Sequence, residues 1–321
     1  MKHLVVYHNS CMDGFVSAWI VYHSLIRRGV VEDDIDFLGS DYNDPIPDMT
    51  GKNVYIVDFS WYDVEGLLKE VAKAIEVKML DHHKETYKVW KDVVLPGNMT
   101  YVFELPKSGV GVVWDYFHPI IKPVMPPLLA HIQDRDLWKF NIQGSRQVHA
   151  FLKSKGFLLR EPNRELFLNK LKEFGAQYAW LSADALKPIY TIGESIMQAE
   201  LVLIESILER NMAMAEFTCY GLKDDDSGDM EPKQRYAIPV AEMPYELASE
   251  AGNLMAHNAP FSITYETEWA LGKRKFSIRS RKGYGVDVGE IARAMGGGGH
   301  ENSAGWYGSI WLDFPFRITR K

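Results

Sequence analysis

Three hydrophobic runs near the beginning of the chain each end at a histidine or an aspartate. The runs HLVVY, NVYIV and IEVKML are followed by His8, Asp58 and Asp81, respectively. Stretches with helical periodicity, 14–28 and 63–73, separate them. Short β-branched runs that alternate with helices predict a βαβαβ unit with a parallel sheet. Because such sheets bind ligands outside the carboxyl ends of their strands, these polar side chains should meet at one edge.

The bulk composition limits the class of protein. With 321 residues, 46% hydrophobic and 25% charged, the chain is typical of a two-domain globular protein. Its net charge of −7 disfavours binding to long duplex DNA. The two cysteines, Cys11 and Cys219, form no CxxC pattern and indicate a reducing compartment. The apolar run at the N-terminus is too short for a signal peptide, and no apolar run reaches the roughly 20 residues of a membrane span, so we expect a cytoplasmic protein with no membrane partner.

The remainder of the chain predicts helices first and then a return to mixed structure. Apolar helical patterns cover 109–117 and 126–140, and almost continuous helix is expected over 163–216, with a break at Pro188. From residue 236 onward, strand and helix patterns alternate again. The predicted fold class is therefore α/β: an N-terminal parallel-sheet domain (1–190) with a helical connector, and a smaller α/β C-terminal domain (191–321).

A set of carboxylates and imidazoles predicts a metal centre. The candidates are His8, Asp13, Asp58, Asp81, His82, His83 and Asp134. Such ligands suit Mn²⁺, Mg²⁺ or Co²⁺ better than a structural thiolate zinc site. Several carboxylates at one rim repel each other unless cations neutralise them, and two metals form the usual clamp for attack on phosphorus. Asp58 would be the shared ligand, since its strand is expected to lie centrally. Taken singly, Asp13 or Asp58 could instead cap a helix, and His8 could be satisfied locally.

The motifs resemble those of the DHH phosphoesterases, which include RecJ-like exonucleases, nanoRNases, cyclic-dinucleotide phosphodiesterases, exopolyphosphatases and family II pyrophosphatases. YHNSCMDGFVSAW is similar to the first motif, although Cys11 stands where an aspartate is usual and the gap after His8 is one residue shorter. YIVDFS, LDHHKE and AHIQDRDLW resemble the second, third and fourth motifs. The segment 276–306 resembles the DHH-associated substrate-binding domain.

The resemblance implies a role for each matching residue. One metal would be held by His8 and Asp58, and a second by Asp13, Asp58, His82 and Asp134, while Asp81 would orient a histidine and His83 would face the scissile phosphate. The cofactors would be two divalent ions, Mn²⁺ first, with Mg²⁺, Co²⁺ or Zn²⁺ as alternatives. For Cys11 two interpretations stay open: a thiolate ligand that shifts preference toward Zn²⁺ or Fe²⁺, or a small buried apolar side chain.

The same resemblance assigns substrate binding to the C-terminal domain. Its residues would be Arg279, Gly297, Gly298, Gly299 and His300, and basic residues outnumber acidic ones from 271 onward. The glycine run could equally be a hinge. Tyr284 and Trp306 are candidates for stacking on bases, and either could equally be a core residue.

The expected function is a metal-dependent phosphodiesterase that cuts short oligonucleotides or linear dinucleotides to mononucleotides. Its partner would be a short single-stranded nucleic acid or a nucleotide. The alternatives are hydrolysis of polyphosphate or pyrophosphate, and non-catalytic nucleotide binding by a regulator. Substrate length, RNA or DNA preference, cleavage polarity and the oligomeric state, with a homodimer among the options, stay open.

Overall fold

The computed structural model of the protein describes residues 1–42, 44–119, 124–158, 163–222, 230–281 and 285–320. The chain forms two compact units, Met1–Gln198 and Ala199–Lys321. The sequence predicts this division at residue 190. Both positions lie within one helix, Lys187–Asn211. Within the described ranges, no helix has both the length and the apolar character needed to cross a membrane.

A parallel sheet organises the first unit. In its described part the strands are β1 (His3–His8), β2 (Ile35–Ser40), β3 (Asn53–Val57), β4 (Glu76–Asp81) and β5 (Met99–Phe103). All neighbouring pairs are parallel, in the order β2-β1-β3-β4-β5. The predicted parallel sheet is confirmed, and β3 lies at its centre as expected. The edge strands β2 and β5 were not predicted, because their partial exposure leaves them without a continuous hydrophobic run.

Helices cover both faces of this sheet. They are α1 (Met12–Arg27), α2 (Val64–Val71), α3 (Lys84–Trp90), α4 (Gly109–Phe117), α5 (Pro127–Asp136), α6 (Ser145–Ser154), α7 (Arg164–Gln177) and α8 (Lys187–Asn211). Alternate strand residues enter separate cores: Val5 packs with α1 and α4 to α7, whereas Val6 packs with α2 and α3. Both faces are therefore buried, which explains the continuous hydrophobic runs.

The almost continuous helix predicted over 163–216 is interrupted, but not at Pro188. The helix α7 ends at Gln177, and α8 begins only at Lys187. Pro188 does not break the helix; it lies in the first turn of α8, where the missing N–H of proline costs nothing. The last residues of the predicted helix belong to a strand that begins at Ala213.

The strand order determines where a ligand can bind. The chain passes from β1 to β2 on one side and then returns to β3 on the other side of β1. In parallel sheets of this order the crevice lies at that switch point, outside the carboxyl ends of β1 and β3. His8 ends β1 and Asp58 directly follows β3. The topology thus brings these two residues to the position where such sheets bind ligands.

In its described part, the second unit contains a mostly antiparallel sheet, two further helices and the end of α8. Its described elements are β6 (Ala213–Leu222), β7 (Met230–Glu242), α9 (Tyr245–Met255), β8 (Phe261–Glu268), β9 (Lys273–Ser280), α10 (Val288–Ala294), β10 (Gly298–His300), β11 (Ser303–Ser309) and β12 (Phe316–Arg320). Their order is β10-β11-β9-β8-β7-β6-β12, with β7 and β8 parallel. The α/β character expected of this domain is confirmed.

Of the two aromatic candidates for base stacking, the structure describes Trp306. Trp306 is 4% exposed and stacks on Phe276 with ring centres 4.9 Å apart. It is a core residue, because its place on β11 faces the buried side of the sheet. Tyr284 lies outside the described residues.

The start of α1 packs directly on the end of β1. A Cβ atom on Gly14 would lie 2.3 Å from the carbonyl oxygen of His8. Real side chains do not tolerate such a distance, so a larger residue would push α1 away from the strand end. The glycine therefore sets the spacing between His8 and the first turn of α1.

We expect Gly14→Ala to lower the free energy of unfolding by roughly 1–3 kcal/mol, because backbone must move to admit the methyl group. Denaturant titration measures the loss. Gly97→Ala is the matched control, since a Cβ there meets nothing within 4 Å. Equal stability of the two variants would show that α1 and β1 are not held at this spacing.

Candidate metal centre

Asp58 has the backbone and the contacts of a shared ligand. Its φ of 63° lies in the left-handed region, which is uncommon for a residue other than glycine. Its N–H donates to the carbonyl of Leu80 at 3.0 Å, which anchors the turn to β4. One carboxylate oxygen lies 3.1 Å from Nε2 of His82, and the other lies 3.6 Å from Nδ1 of His8. The two oxygens of Asp58 therefore face two different histidines.

Two groups of potential metal ligands flank Asp58 in the described part of the first unit. The first group is His8, Asp58 and His83, and the second is Asp13, His82 and Asp136; in each, one ligand atom per residue lies within 4.8 Å of the others. In the second group Nε2 of His82 lies 3.6 Å from Asp136 and 3.8 Å from Asp13. Each group offers imidazole and carboxylate, the donors that suit a divalent cation.

Each carboxylate of these groups keeps one oxygen that the protein does not satisfy. A buried Oδ2 atom without a hydrogen-bond partner is present in each of Asp13, Asp58 and Asp136. Nδ1 of His8 is likewise buried and has no hydrogen-bond partner. Burying a carboxylate without a partner costs several kcal/mol unless a counter-charge is present. The donors and their unpaired atoms therefore fit divalent cations.

The pKa shifts of Asp13, Asp136 and His82 show that the second group needs positive charge. Burial raises the pKa of Asp13 well above its ordinary value, and the charges of Asp58 and Asp136 raise it further. Burial likewise raises the pKa of Asp136. For His82 burial opposes protonation, but the hydrogen bond to Asp58 and the charge of Asp136 raise its pKa to about 10. Without a metal, a proton on His82 supplies part of the charge that the carboxylates need.

Asp81 is fully occupied by hydrogen bonds. Its Oδ1 accepts from the backbone N–H groups of His82 (2.7 Å) and His83 (3.2 Å), and from Nδ1 of His83 (2.8 Å). Its Oδ2 accepts from the hydroxyls of Ser60 (2.8 Å) and Thr86 (2.6 Å). Burial opposes ionisation, but His83 holds the pKa of Asp81 below its ordinary value. Asp81 thus shapes the Asp-His-His turn and orients His83, whose Nε2 is then the nitrogen able to ligate.

The fourth motif contributes a different aspartate from the one expected. Asp134 accepts from the backbone N–H of Asn141 (2.9 Å) and of Ile142 (3.1 Å) and from the hydroxyl of Ser145 (2.6 Å). Both of its oxygens are used, so the structure does not bring it to the ligand groups. Asp136 follows about 200° further around α5 and faces His82. The sequence could not distinguish the two, because both stand in the last turn of the same helix.

Cys11 lies beside the centre but takes no place in either ligand group of the first unit. It precedes α1 with an extended backbone. Burial raises the pKa of its thiol well above the ordinary value, and the charge of Asp58 raises it further. Because its sulfur joins neither ligand group, the geometry favours the packing interpretation over a thiolate ligand.

The helix-capping alternatives do not describe the two aspartates. Asp13 lies inside the first turn of α1, after the capping position of Cys11. Asp63, not Asp58, caps α2 by accepting from the N–H of Gly66 at 2.9 Å. Both candidate ligands therefore keep an oxygen directed into the centre.

The start of α4 is a part of the centre that the sequence did not reveal. The hydroxyl of Ser108 (2.7 Å) and the N–H of Val110 (3.1 Å) both donate to Oδ1 of Asp13. A Cβ on Gly109 would lie 2.5 Å from Oδ1 of Asp58, so only glycine fits. The positive end of the helix dipole also favours the negative charges here. The Ser-Gly pair was readable as a helix start, but its contact with Asp13 spans 95 residues of sequence.

In the second unit, two of the expected substrate-binding residues, Arg279 and His300, lie in one row of the sheet. His300 pairs with Ser303, and Ser303 pairs with Arg279 on the next strand. Directly paired residues project from the same face of an antiparallel sheet, so Arg279 and His300 flank Ser303. One Arg279 nitrogen donates to the carbonyl of Ile278 at 2.9 Å. Their role in binding substrate stays a prediction.

The glycine run forms a strand and its approach rather than a hinge. A Cβ on Gly299, whose φ is 143°, would lie 2.5 Å from the Cα of Ala304, and one on Gly297 would lie 2.0 Å from the carbonyl oxygen of Gly305. Gly298 pairs with Gly305 in the sheet. These glycines allow β10 and its approach to pack closely on β11.

Comparison with known proteins places the chain near one curated relative. No family model matches the chain. It is 27% identical over 319 residues to the uncharacterized protein R106 of Acanthamoeba polyphaga mimivirus, which covers 94% of this chain and 66% of that protein. The chain therefore spans slightly less than two thirds of that relative.

The chain also resembles several solved structures. Among them are the pGpG-specific phosphodiesterase PggH from Vibrio cholerae (15% identity, TM-score 0.45, 97% of this chain and 94% of that chain), RecJ from Thermus thermophilus in complex with Mn²⁺ (14%, 0.49, 95% and 49%) and a putative family II inorganic pyrophosphatase from Methanococcus jannaschii (16%, 0.30, 97% and 95%). With TM-scores below 0.5, they carry no conclusion about the activity of this chain.

Substitution of Asp134 and of Asp136 should affect stability and metal binding differently. Asp136→Asn should weaken Mn²⁺ binding by more than about tenfold. Changing a residue that only supports a metal ligand already costs roughly 10–100-fold in affinity. It should not lower the stability of the metal-free protein, because folding disfavours the Asp136 charge. Asp134→Asn should lower the free energy of unfolding by roughly 1–3 kcal/mol, since it loses charge-assisted hydrogen bonds. Calorimetric Mn²⁺ titration and thermal unfolding without metal measure both effects, and the reverse pattern would restore Asp134 as the ligand.

Proposed function

We propose that this chain is a metal-dependent phosphoesterase of the DHH family that hydrolyses short oligonucleotides or linear dinucleotides to mononucleotides. The supporting observation is the convergence of three carboxylates, each with one buried and unpaired oxygen, in two ligand groups; they are Asp13, Asp58 and Asp136. Such a cluster repels an anionic substrate unless cations reverse its charge. Two adjacent metal sites that share a carboxylate ligand suit the hydrolysis of phosphate esters.

Some residues of the centre would bind the cations, and others orient the ligand side chains. Bound divalent cations would supply positive charge for the phosphate and lower the pKa of water. Asp58 would contact both cations through its two oxygens, since these face His8 and His82. Asp81 keeps His83 in one orientation, and Ser108 keeps Asp13 in place. Preorganised charges of this kind need not rearrange when the reaction begins.

Aromatic side chains beside the first ligand group favour a substrate that carries a base. The ring of Tyr42 lies 5.6 Å from that of His8 and 6.0 Å from that of His83. With Trp61 and Tyr62, Tyr42 also lines a cavity of about 540 Å³. A nucleobase or ribose can use such surfaces. Polyphosphate and pyrophosphate would meet one cationic side chain there, Lys69, among the acidic Asp44, Asp63 and Glu70. Hydrolysis of phosphoanhydrides is thus the second candidate.

Activity should require a divalent cation, and Asp58→Asn should cost more activity than any other change of a single ligand, because Asp58 serves both groups. The assay gives Mn²⁺ and, in parallel, EDTA to the protein with labelled oligonucleotides, linear dinucleotides, polyphosphate and pyrophosphate, and resolves the products. His8→Ala is the comparison variant, since it affects one group. Full activity in EDTA, or more residual activity in Asp58→Asn than in His8→Ala, would contradict the shared-ligand centre.

Arg279 should contribute binding energy in the second unit. If it grips the substrate, Arg279→Ala removes a charge-assisted contact worth roughly 1.5–3 kcal/mol, or about one to two decades in kcat/KM. His300→Ala should act in the same direction. Arg279→Lys should recover part of the loss because it keeps the charge, and Arg274→Ala is the control on the opposite face of β9. Unchanged oligonucleotide hydrolysis by Arg279→Ala would limit this row of residues to a structural role.

A further inference from the structure

A stretch without acidic residues directly follows the last ligand of the candidate metal centre. From 137 to 158 the chain contains no aspartate or glutamate, although its overall net charge is −7. The same stretch carries Lys139, Arg146, Lys153 and Lys155. It comprises the loop after α5 and the whole of α6. Locally positive charge beside the centre favours anionic ligands.

Two arginines and two aromatic rings interleave in this region, and we refer to Arg135, Trp138, Phe140 and Arg146 as the Arg–aromatic cluster. The Cζ atom of Arg135 lies 4.1 Å from the centre of the Trp138 ring. That of Arg146 lies 3.6 Å from the Phe140 ring and 5.2 Å from the Trp138 ring. All four side chains are partly exposed. The rings are therefore accessible and already shaped to contact planar, charged groups.

The loop that carries the rings adopts an uncommon backbone. Trp138 and Phe140 have φ values of 52° and 51°, in the left-handed region that bulky residues avoid. Asp134 holds this loop, because its side chain accepts from the N–H groups of Asn141 and Ile142 and its carbonyl accepts from the N–H of Lys139. Strained residues that the surroundings hold in place are typical of ligand-binding sites.

The cluster adjoins the second ligand group and continues along α6. Arg135 directly precedes Asp136 in the last turn of α5, and its guanidinium lies over the ring of Trp138. On α6, Arg146, His149 and Lys153 recur at helical spacing on one face, which spans about 10 Å. Burial, Arg135 and then Lys153 lower the pKa of His149, so both cations act on the same imidazole. The basic face thus leads from the metal centre along the helix.

We propose that the Arg–aromatic cluster and Lys153 form a subsite for a single-stranded nucleotide chain whose cleaved end lies in the metal centre. This inference rests on the proposed function and extends it from the reacting phosphate to the neighbouring nucleotides. A base stacks on Trp138 or Phe140, and the displaced guanidinium pairs with a phosphate of the backbone. Stacking on aromatic rings within a basic groove accepts any base, so the subsite selects for single strands rather than for sequence.

A purely structural role for the cluster makes a different prediction. Cation–π contacts between α5 and α6 can also hold two helices together. In that case, removing a ring or a guanidinium lowers stability and leaves the affinity for oligonucleotides unchanged in the folded protein. Thermal unfolding of each variant therefore accompanies every binding measurement.

The test measures binding of a 5′-labelled single-stranded RNA heptamer by fluorescence anisotropy, in Ca²⁺ and over a range of salt concentrations. Trp138→Ala should weaken binding about 5- to 150-fold through lost stacking, and Trp138→Phe should recover most of it. Arg146→Ala should reduce the slope of log K against log salt by about 0.7, the value for one phosphate contact with a single strand. Arg28→Ala is the matched control, because Arg28 lies over the ring of Phe117 at 5.1 Å and at the opposite end of α1 from Asp13. It should bind like the wild type.

Wild-type affinity in both Trp138→Ala and Arg146→Ala, or no binding of the heptamer by the wild type, would overturn the subsite. If Trp138→Ala does not fold, Trp138→Leu and Arg146→Gln carry the same comparison. Hydrolysis of a small chromogenic phosphodiester in Mn²⁺ tests the proposed function separately. If the wild type cleaves it but the variants bind RNA normally, the subsite alone is wrong; if the wild type cleaves no phosphodiester at all, the proposed function fails.

Discussion

Mutual repulsion among buried carboxylates is the constraint on which the rest of this structure depends. Asp13, Asp58 and Asp136 lie around His82 with oxygens that no protein group satisfies. Folding accepts this cost only if something positive compensates for it. In the chain alone the compensation is partial, through a proton on His82 and the start of α4. A pair of divalent cations would complete it, and the donors present are those that such cations prefer.

The fold concentrates these charges by close packing of backbone. The strand order brings the ends of β1 and β3 side by side, and glycines at 14 and 109 let two helix starts approach them. Around this centre stands a frame of fully bonded aspartates. Asp81 fixes the Asp-His-His turn, and Asp134 fixes the loop after α5. The unsatisfied carboxylates and the satisfied ones therefore have different tasks, which their hydrogen bonds distinguish.

Sequence patterns predicted what depends on neighbouring residues. The strands β1, β3 and β4 are continuous hydrophobic runs because they are buried on both faces, and their polar ends marked the rim correctly. The sequence failed where side-chain direction or distant contacts decide. It selected Asp134 instead of Asp136, two positions apart on one helix, and it missed Ser108, whose contact with Asp13 is remote in sequence. It also left Trp306 open between base stacking and the core, since a tryptophan on a strand does not reveal which face is buried.

The central claim is that Asp58 is shared by two cations, and anomalous diffraction from crystals grown with Mn²⁺ tests it most directly. The account predicts two anomalous peaks, one among His8, Asp58 and His83 and the other among Asp13, His82 and Asp136, with one oxygen of Asp58 directed at each. A single peak that does not contact Asp58, or a peak bound by Asp134 with Asp136 turned away, would contradict it.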